Sequence, residues 1–136
     1  MTYALDTNII SYWIQKNPQI AEKLHLALQL GNMIVIPPSA YYEIRRGFKH
    51  KPALGKEFAF SLICQLCEIG ETNLAVWEQA ADIYADTRKS GKSVDDNDIL
   101  IAAFCIVNGY TLVPHNTKHF TNIKGLQLVD WMKNSV

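Results

Sequence analysis

Asp6, Glu43, Asp98 and Asn116 are the residues of this sequence best suited to chemistry, because each adjoins a stretch patterned as a strand end or a first helical turn. Three carboxylates gathered in one place repel one another, which raises their pKa values and costs stability until a cation joins them. Oxygen-only ligands select a hard divalent ion, Mg²⁺ or Mn²⁺. Such an ion neutralises phosphoryl oxygens and activates water, so the implied chemistry is hydrolysis of a phosphodiester. Taken singly, each acid also fits a structural role: Asp6 and Asp98 suit helix N-termini, and Glu43 suits a solvated helix face. Asp98 exceeds that role, since Asp95 and Asp96 already suffice as caps.

Whether these groups meet depends on the elements that carry them. Short apolar runs alternate with longer helical patterns, the signature of an α/β domain with a largely parallel sheet. Strands are predicted at Thr2 to Leu5, Met33 to Ile36, Glu68 to Gly70, Thr111 to Val113 and Gln127 to Val129. Helices are predicted from Thr7, from Pro18 to Leu30, after Pro37-Pro38-Ser39, from Leu54 to Cys67, from Thr72 to Ser90 and from Asn97 to Asn108. The last of these is apolar almost all round, which predicts that it lies sandwiched inside the domain. In an open parallel sheet, sites form outside the carboxyl ends of the strands. Asp6 follows the first strand, Glu43 is about one turn into the helix after the second, Asp98 begins a helix antiparallel to the Thr111 strand, and Asn116 follows that strand. All four are thereby predicted at one rim.

A length of 136 residues with 49% hydrophobic content predicts one domain with a packed core. Thirteen Lys and Arg balance thirteen Asp and Glu, so any polyanion must meet a local basic patch. Three patches stand out: Arg45, Arg46, Lys49, His50 and Lys51; Arg88, Lys89 and Lys92; and His115, Lys118 and His119. Each is also readable as a solvated face. The most apolar stretch, Ile99 to Val107, is far short of a membrane span. The carboxylate at Asp6 interrupts the apolar core a signal peptide would need, and with an odd cysteine count this predicts a reducing cytoplasm. Cys64 and Cys67 have metal-site spacing, but their apolar surroundings and the lack of a second ligand pair predict core thiols. His115 and His119 are four apart, yet they flank a turn and no Glu follows the first, so phosphate or base contact or plain exposure fits better than zinc.

Four ordered blocks, YALDTNIISYW, YYEIRRG, VDDNDILIAAFCIVNGYTLVPHNTKHF and LQLVDW, together resemble the PIN-domain nucleases, especially the VapC toxins of bacterial toxin-antitoxin pairs. The resemblance spans nearly the whole chain. It implies a single PIN domain, 1–136, a three-layer α/β/α fold with a central mostly parallel sheet. Asp6, Glu43 and Asp98 match the metal-holding acids, with Mg²⁺ as cofactor and Mn²⁺ able to substitute. Thr7 and Asn8 match supporting polar residues, and Ser39 and Asp96 join them as candidates. Asn116 stands at the family's last acidic position, after Pro114 and His115 where the family often has Thr and Asn. An amide oxygen orients water or metal without adding charge, which leaves one or two metals open. Arg45, Arg46, Lys49, His115 and Lys118 are the candidate RNA contacts.

The implied activity is an endoribonuclease leaving 5′-phosphate and 3′-hydroxyl ends on structured RNA, commonly tRNA. The implied partners are a VapB-type antitoxin and, as a homodimer, a second copy of the chain. A DNA-directed PIN nuclease and a catalytically silent PIN-like binding module are the alternatives. A haloacid-dehalogenase phosphatase needs a second Asp where Asn8 stands, and a receiver domain needs its acceptor after a central strand and a later Lys. Tyr12, Trp13, Tyr41, Tyr42 and Phe48 surround Asp6 and Glu43 in sequence; half are expected in the core, and the others to line a groove for a helical antitoxin segment.

Overall fold

The computed structural model describes residues 1–133 and contains five strands and six α-helices. The strands are β1 (Thr2–Leu5), β2 (Met33–Ile36), β3 (Glu68–Ile69), β4 (Thr111–Val113) and β5 (Gln127–Leu128). Ile34, Val35 and Ile36 are buried in succession, as are all residues of β4. Runs buried on both faces are what a parallel sheet covered by helices requires. The sheet order is β3-β2-β1-β4-β5, and every pairing is parallel. Tyr3 is the register point at the centre, aligned with Ile34 on one side and Thr111 on the other.

The helices are α1 (Thr7–Ile14), α2 (Pro18–Gln29), α3 (Pro38–His50), α4 (Leu54–Leu66), α5 (Leu74–Lys89) and α6 (Asp96–Asn108). The connection from β1 to β2 crosses in one direction and that from β3 to β4 in the other. Right-handed crossovers therefore put α1 and α2 on one face and α5 and α6 on the opposite face. Helix α3 touches both α1 and α6, bridging the layers near the carboxyl edge of the sheet. Five consecutive residues of α6, Ile101 to Cys105, are buried, the expected result for a helix that is apolar on most sides. Among the described residues no helix is long and apolar enough to cross a membrane.

Boundaries differ from expectation where local chemistry intervenes. The helix expected from Thr72 begins at Leu74, because the Asn73 side chain accepts the Val76 N–H at 3.1 Å and sets the cap there. Strand β3 stops at Ile69, yet the Gly70 N–H still donates to the Ile36 carbonyl at 2.8 Å. A Cβ at Gly70 would overlap the Phe104 ring, so any side chain here requires that ring to shift where the β3 edge meets α6. Gly70→Ala is expected to cost about 1–3 kcal/mol through overpacking. Urea unfolding measures it, and an unchanged midpoint would show that Phe104 moves aside freely.

Candidate active site

Strand β1 ends at Leu5, and Asp6 takes the N-cap position of α1 with an extended backbone. Its side chain does not cap that helix. Instead Oδ2 accepts the backbone N–H of His115 at 3.1 Å, while the Asp6 N–H donates to the Val113 carbonyl at 3.1 Å. These two bonds tie the ends of β1 and β4 together and hold a carboxylate that is only 7% exposed. The capping role open to Asp6 in the sequence is therefore replaced by a bond across the sheet.

Glu43 comes from α3, half-buried, and Asp98 from the first turn of α6. Asp95 is the N-cap of α6 and Asp96 its first residue, but the Asp95 side chain makes no cap hydrogen bond. Both acids thus serve the helix through its dipole. The carboxyl of Asp98 is raised to about 6, first by burial and then by the charge of Asp6, with smaller contributions from Asp95 and Glu43. His119 opposes this rise, its Nδ1 standing 3.7 Å from Asp98 Oδ2. Charges from the end of β1, from α3 and from α6 therefore act on one carboxyl group, as the rim argument requires.

Among the described residues, no three His, Cys, Asp or Glu side chains stand in ready metal-ligating positions. The donor chemistry of Asp6, Glu43 and Asp98 nevertheless fits a hard cation, being all oxygen. Two buried hydroxyls, Thr7 Oγ1 in the first turn of α1 and Ser39 Oγ in the first turn of α3, have no hydrogen-bond partner. Both open helices at the same rim, and buried polar atoms of this kind ordinarily have partners. Thr7 follows Asp6 in the chain and shares a groove with Glu43, whereas Ser39 lines a hollow with Tyr42, Val76, Trp77 and Phe104.

A model of the family described as "PIN domain" matches residues 3–126. The chain belongs to the PIN-domain family. Ribonuclease VapC2 of Rickettsia felis is 29% identical over 134 residues, covering 98% of this chain and all of that protein. Ribonuclease VapC1 of Methanocaldococcus jannaschii is 30% identical over 104 residues, 75% of this chain and 74% of that one. Among solved structures, the VapBC2 complex of Rickettsia felis bound to a promoter DNA fragment matches with TM-score 0.89 at 28% identity, covering 96% of this chain and 99% of that chain. The VapBC-1 structure from nontypeable Haemophilus influenzae matches at 0.85 and 28%, covering 98% and 100%.

In this PIN domain Asn116 follows β4 and caps a 3₁₀ turn at Thr117–His119, its Oδ1 accepting the Lys118 N–H at 3.1 Å. Its Nδ2 lies 3.5 Å from His119 Nε2. His119, assigned to a basic patch by the sequence, is thus the side chain that faces Asp98. The turn brings it back onto α6, which spacing alone does not reveal. His115 lays its ring against Tyr12, centroids 5.3 Å apart, with Nδ1 buried and unpartnered.

The remaining candidates separate. Asn8 is exposed on α1. Arg45 turns to Glu57 of α4 at 4.0 Å, whereas Arg46 lies over the exposed Tyr42 ring at 5.2 Å and Lys49 is exposed. Of the aromatics, Trp13 is buried, Tyr12, Tyr41 and Phe48 pack partly against the core, and Tyr42 is 61% exposed. Thr7, Ser11, Glu43, Phe48 and Lys51 line a groove of about 440 Å³. Cys64 and Cys67 are half-buried against the core rather than enclosed by it, while Cys105 is buried. Burial pushes the Cys67 and Cys105 thiols up to about 12, which makes both unreactive at neutral pH.

Proposed function

We propose that this chain, read as one PIN domain over residues 1–136, is a divalent-metal-dependent endoribonuclease and the toxin of a VapBC-type pair, acting on structured RNA such as tRNA. The observation that carries the reading is the convergence on Asp98 of charge from Asp6 and Glu43, three acids on three separate elements. The Ribonuclease VapC relatives and the VapBC structures support the same assignment.

In this reading Asp6, Glu43 and Asp98 hold Mg²⁺, and Mn²⁺ substitutes for it. When bound, the ion supplies Lewis-acid activation of water for attack on a phosphodiester. Asp6 is positioned for this by the His115 N–H. Thr7 and Ser39 offer their unpartnered hydroxyls, while Asn116 contributes an uncharged amide. Asp96 adds negative charge close to Asp98, and Arg46, Lys49 and Lys118 face solvent where a phosphate backbone can reach them. The groove beside Glu43 and Phe48 suits the apolar face of a VapB-type antitoxin segment, and a homodimer is the proposed assembly.

Purified chain incubated with tRNA and with DNA, in Mg²⁺ or in chelator, tests the activity. RNA cleavage in Mg²⁺ alone, with 5′-phosphate products, is expected. Cleavage of DNA in preference would assign the DNA-directed alternative. Calorimetry detecting no Mg²⁺ binding, together with no cleavage, would assign a silent binding module.

A further inference from the structure

On the surface lies a concavity of about 480 Å³ lined by Asp86, Lys89, Ser90, Lys92, Asn122 and Lys124. Lys89 and Lys92 belong to a basic patch visible in sequence; Lys124 joins them only through the fold, from the segment that follows the 3₁₀ turn. Three ammonium groups here face one carboxylate. Among the described residues none of the three lysines forms an ion pair, since the pairs present are Arg45 with Glu57 and His119 with Asp98.

The backbone beneath these lysines is held in place. Helix α5 closes with the Lys92 N–H on the Thr87 carbonyl at 2.9 Å and the Gly91 N–H on the Arg88 carbonyl at 3.1 Å. Gly91 has φ +74°, the left-handed conformation that such a closure uses. On the other side, buried Phe120 and Ile123 anchor the segment that presents Asn122 and Lys124.

The chain leads directly from this concavity to a second hollow at Asp98. Ser93, Val94, Asp95, Asp98 and His119 line that second hollow, so Lys92 and Ser93, consecutive residues, line one cavity each. Lys92 and Asp98 are six positions apart, which limits their Cα separation to about 22 Å. A chain of zero net charge offers a polyanion no general attraction, so a local basic cluster must supply it. Compact, rotatable ammonium groups suit phosphate held as a point charge without base reading.

We propose that Lys89, Lys92 and Lys124 form a phosphate-binding subsite that holds the RNA backbone a few nucleotides from the bond cleaved at Asp98. This rests on the nuclease reading above. Ser90 and Asn122 add hydrogen-bonding groups to the same wall. The subsite contributes substrate affinity without taking part in bond cleavage.

The test is the triple variant Lys89→Gln, Lys92→Gln, Lys124→Gln, assayed on bulk tRNA with Mg²⁺ and, in parallel, for metal-free tRNA binding by fluorescence anisotropy. KM is expected to rise about tenfold near physiological salt with kcat within about twofold. The slope of log affinity against log salt should flatten by about 2, as expected for the loss of three phosphate contacts. The corresponding Lys→Arg triple variant should restore binding. A charge-matched control, Lys16→Gln, Lys23→Gln, Lys133→Gln, should leave KM and slope near the parent's. Absent cleavage by the parent sinks the nuclease reading, whereas unchanged tRNA binding and salt slope in the triple variant overturn this subsite. A triple variant that keeps tRNA binding but loses the antitoxin would also overturn it, assigning the lysines to an acidic protein partner.

Discussion

Replacing Asp98 by Asn is expected to lower RNA cleavage by on the order of 10³-fold or more while raising the melting temperature of the metal-free protein. On the proposed reading, the activity loss follows from removing one of the three acids that would hold the ion, which is worth several kcal/mol of transition-state stabilisation. The stability gain follows from the raised carboxyl. Below about pH 4 Asp98 is protonated in the folded and unfolded chains alike. Between there and its folded value of about 6, the unfolded chain ionises first, so the parent loses stability as pH rises through this window. Above it the penalty is complete, on the order of 2 kcal/mol for this partly exposed group. Parent and variant should therefore melt together near pH 4 and separate at pH 7, the variant higher. Added Mg²⁺ should stabilise the parent and leave the variant unmoved. A variant that melts well below the parent at pH 7 would show that Asp98 is structural.

Phe60→Ala is expected to have the largest effect on stability, about 3–5 kcal/mol. Phe60 is 2% exposed on α4, and its ring lies 5.8 Å from Tyr41 and 6.1 Å from Phe48, both on α3. With the Arg45–Glu57 pair, it ties α4 to the helix that carries Glu43. A fall in melting temperature of roughly 10–20 °C follows for a chain of this length. Mg²⁺ affinity measured on the folded variant at low temperature should also weaken, since α3 loses its backing. A loss below about 1 kcal/mol would mean that the α3–α4 pair repacks around the missing ring.

The sequence alone determined the order of elements and the rim to which their ends bring the acids. Both follow from local rules: a helix fed by a strand starts at that strand's carboxyl end, so Asp6, Glu43 and Asp98 are placed as soon as their elements are recognised. The apolar character of α6 likewise announced a sandwiched helix, and Ile101 to Cys105 are buried. The four motif blocks pointed to the PIN-domain family that residues 3–126 match.

Only the tertiary structure decided which side chains face one another. The Asp6 carboxylate finds the His115 N–H across 109 residues, a pairing set by the β1–β4 register. His119 reaches Asp98 because a 3₁₀ turn reverses the chain over α6, and Lys124 completes the lysine cluster through the same segment. Arg45, grouped with Arg46 in the sequence, points instead to Glu57, since neighbours on a helix diverge by about 100°. The orphaned hydroxyls of Thr7 and Ser39 and the half-burial of Cys64 and Cys67 depend on how closely helices pack. Periodicity records which face of an element turns inward; the partner that meets that face is fixed by crossover direction, strand register and packing, which act between segments distant in the chain.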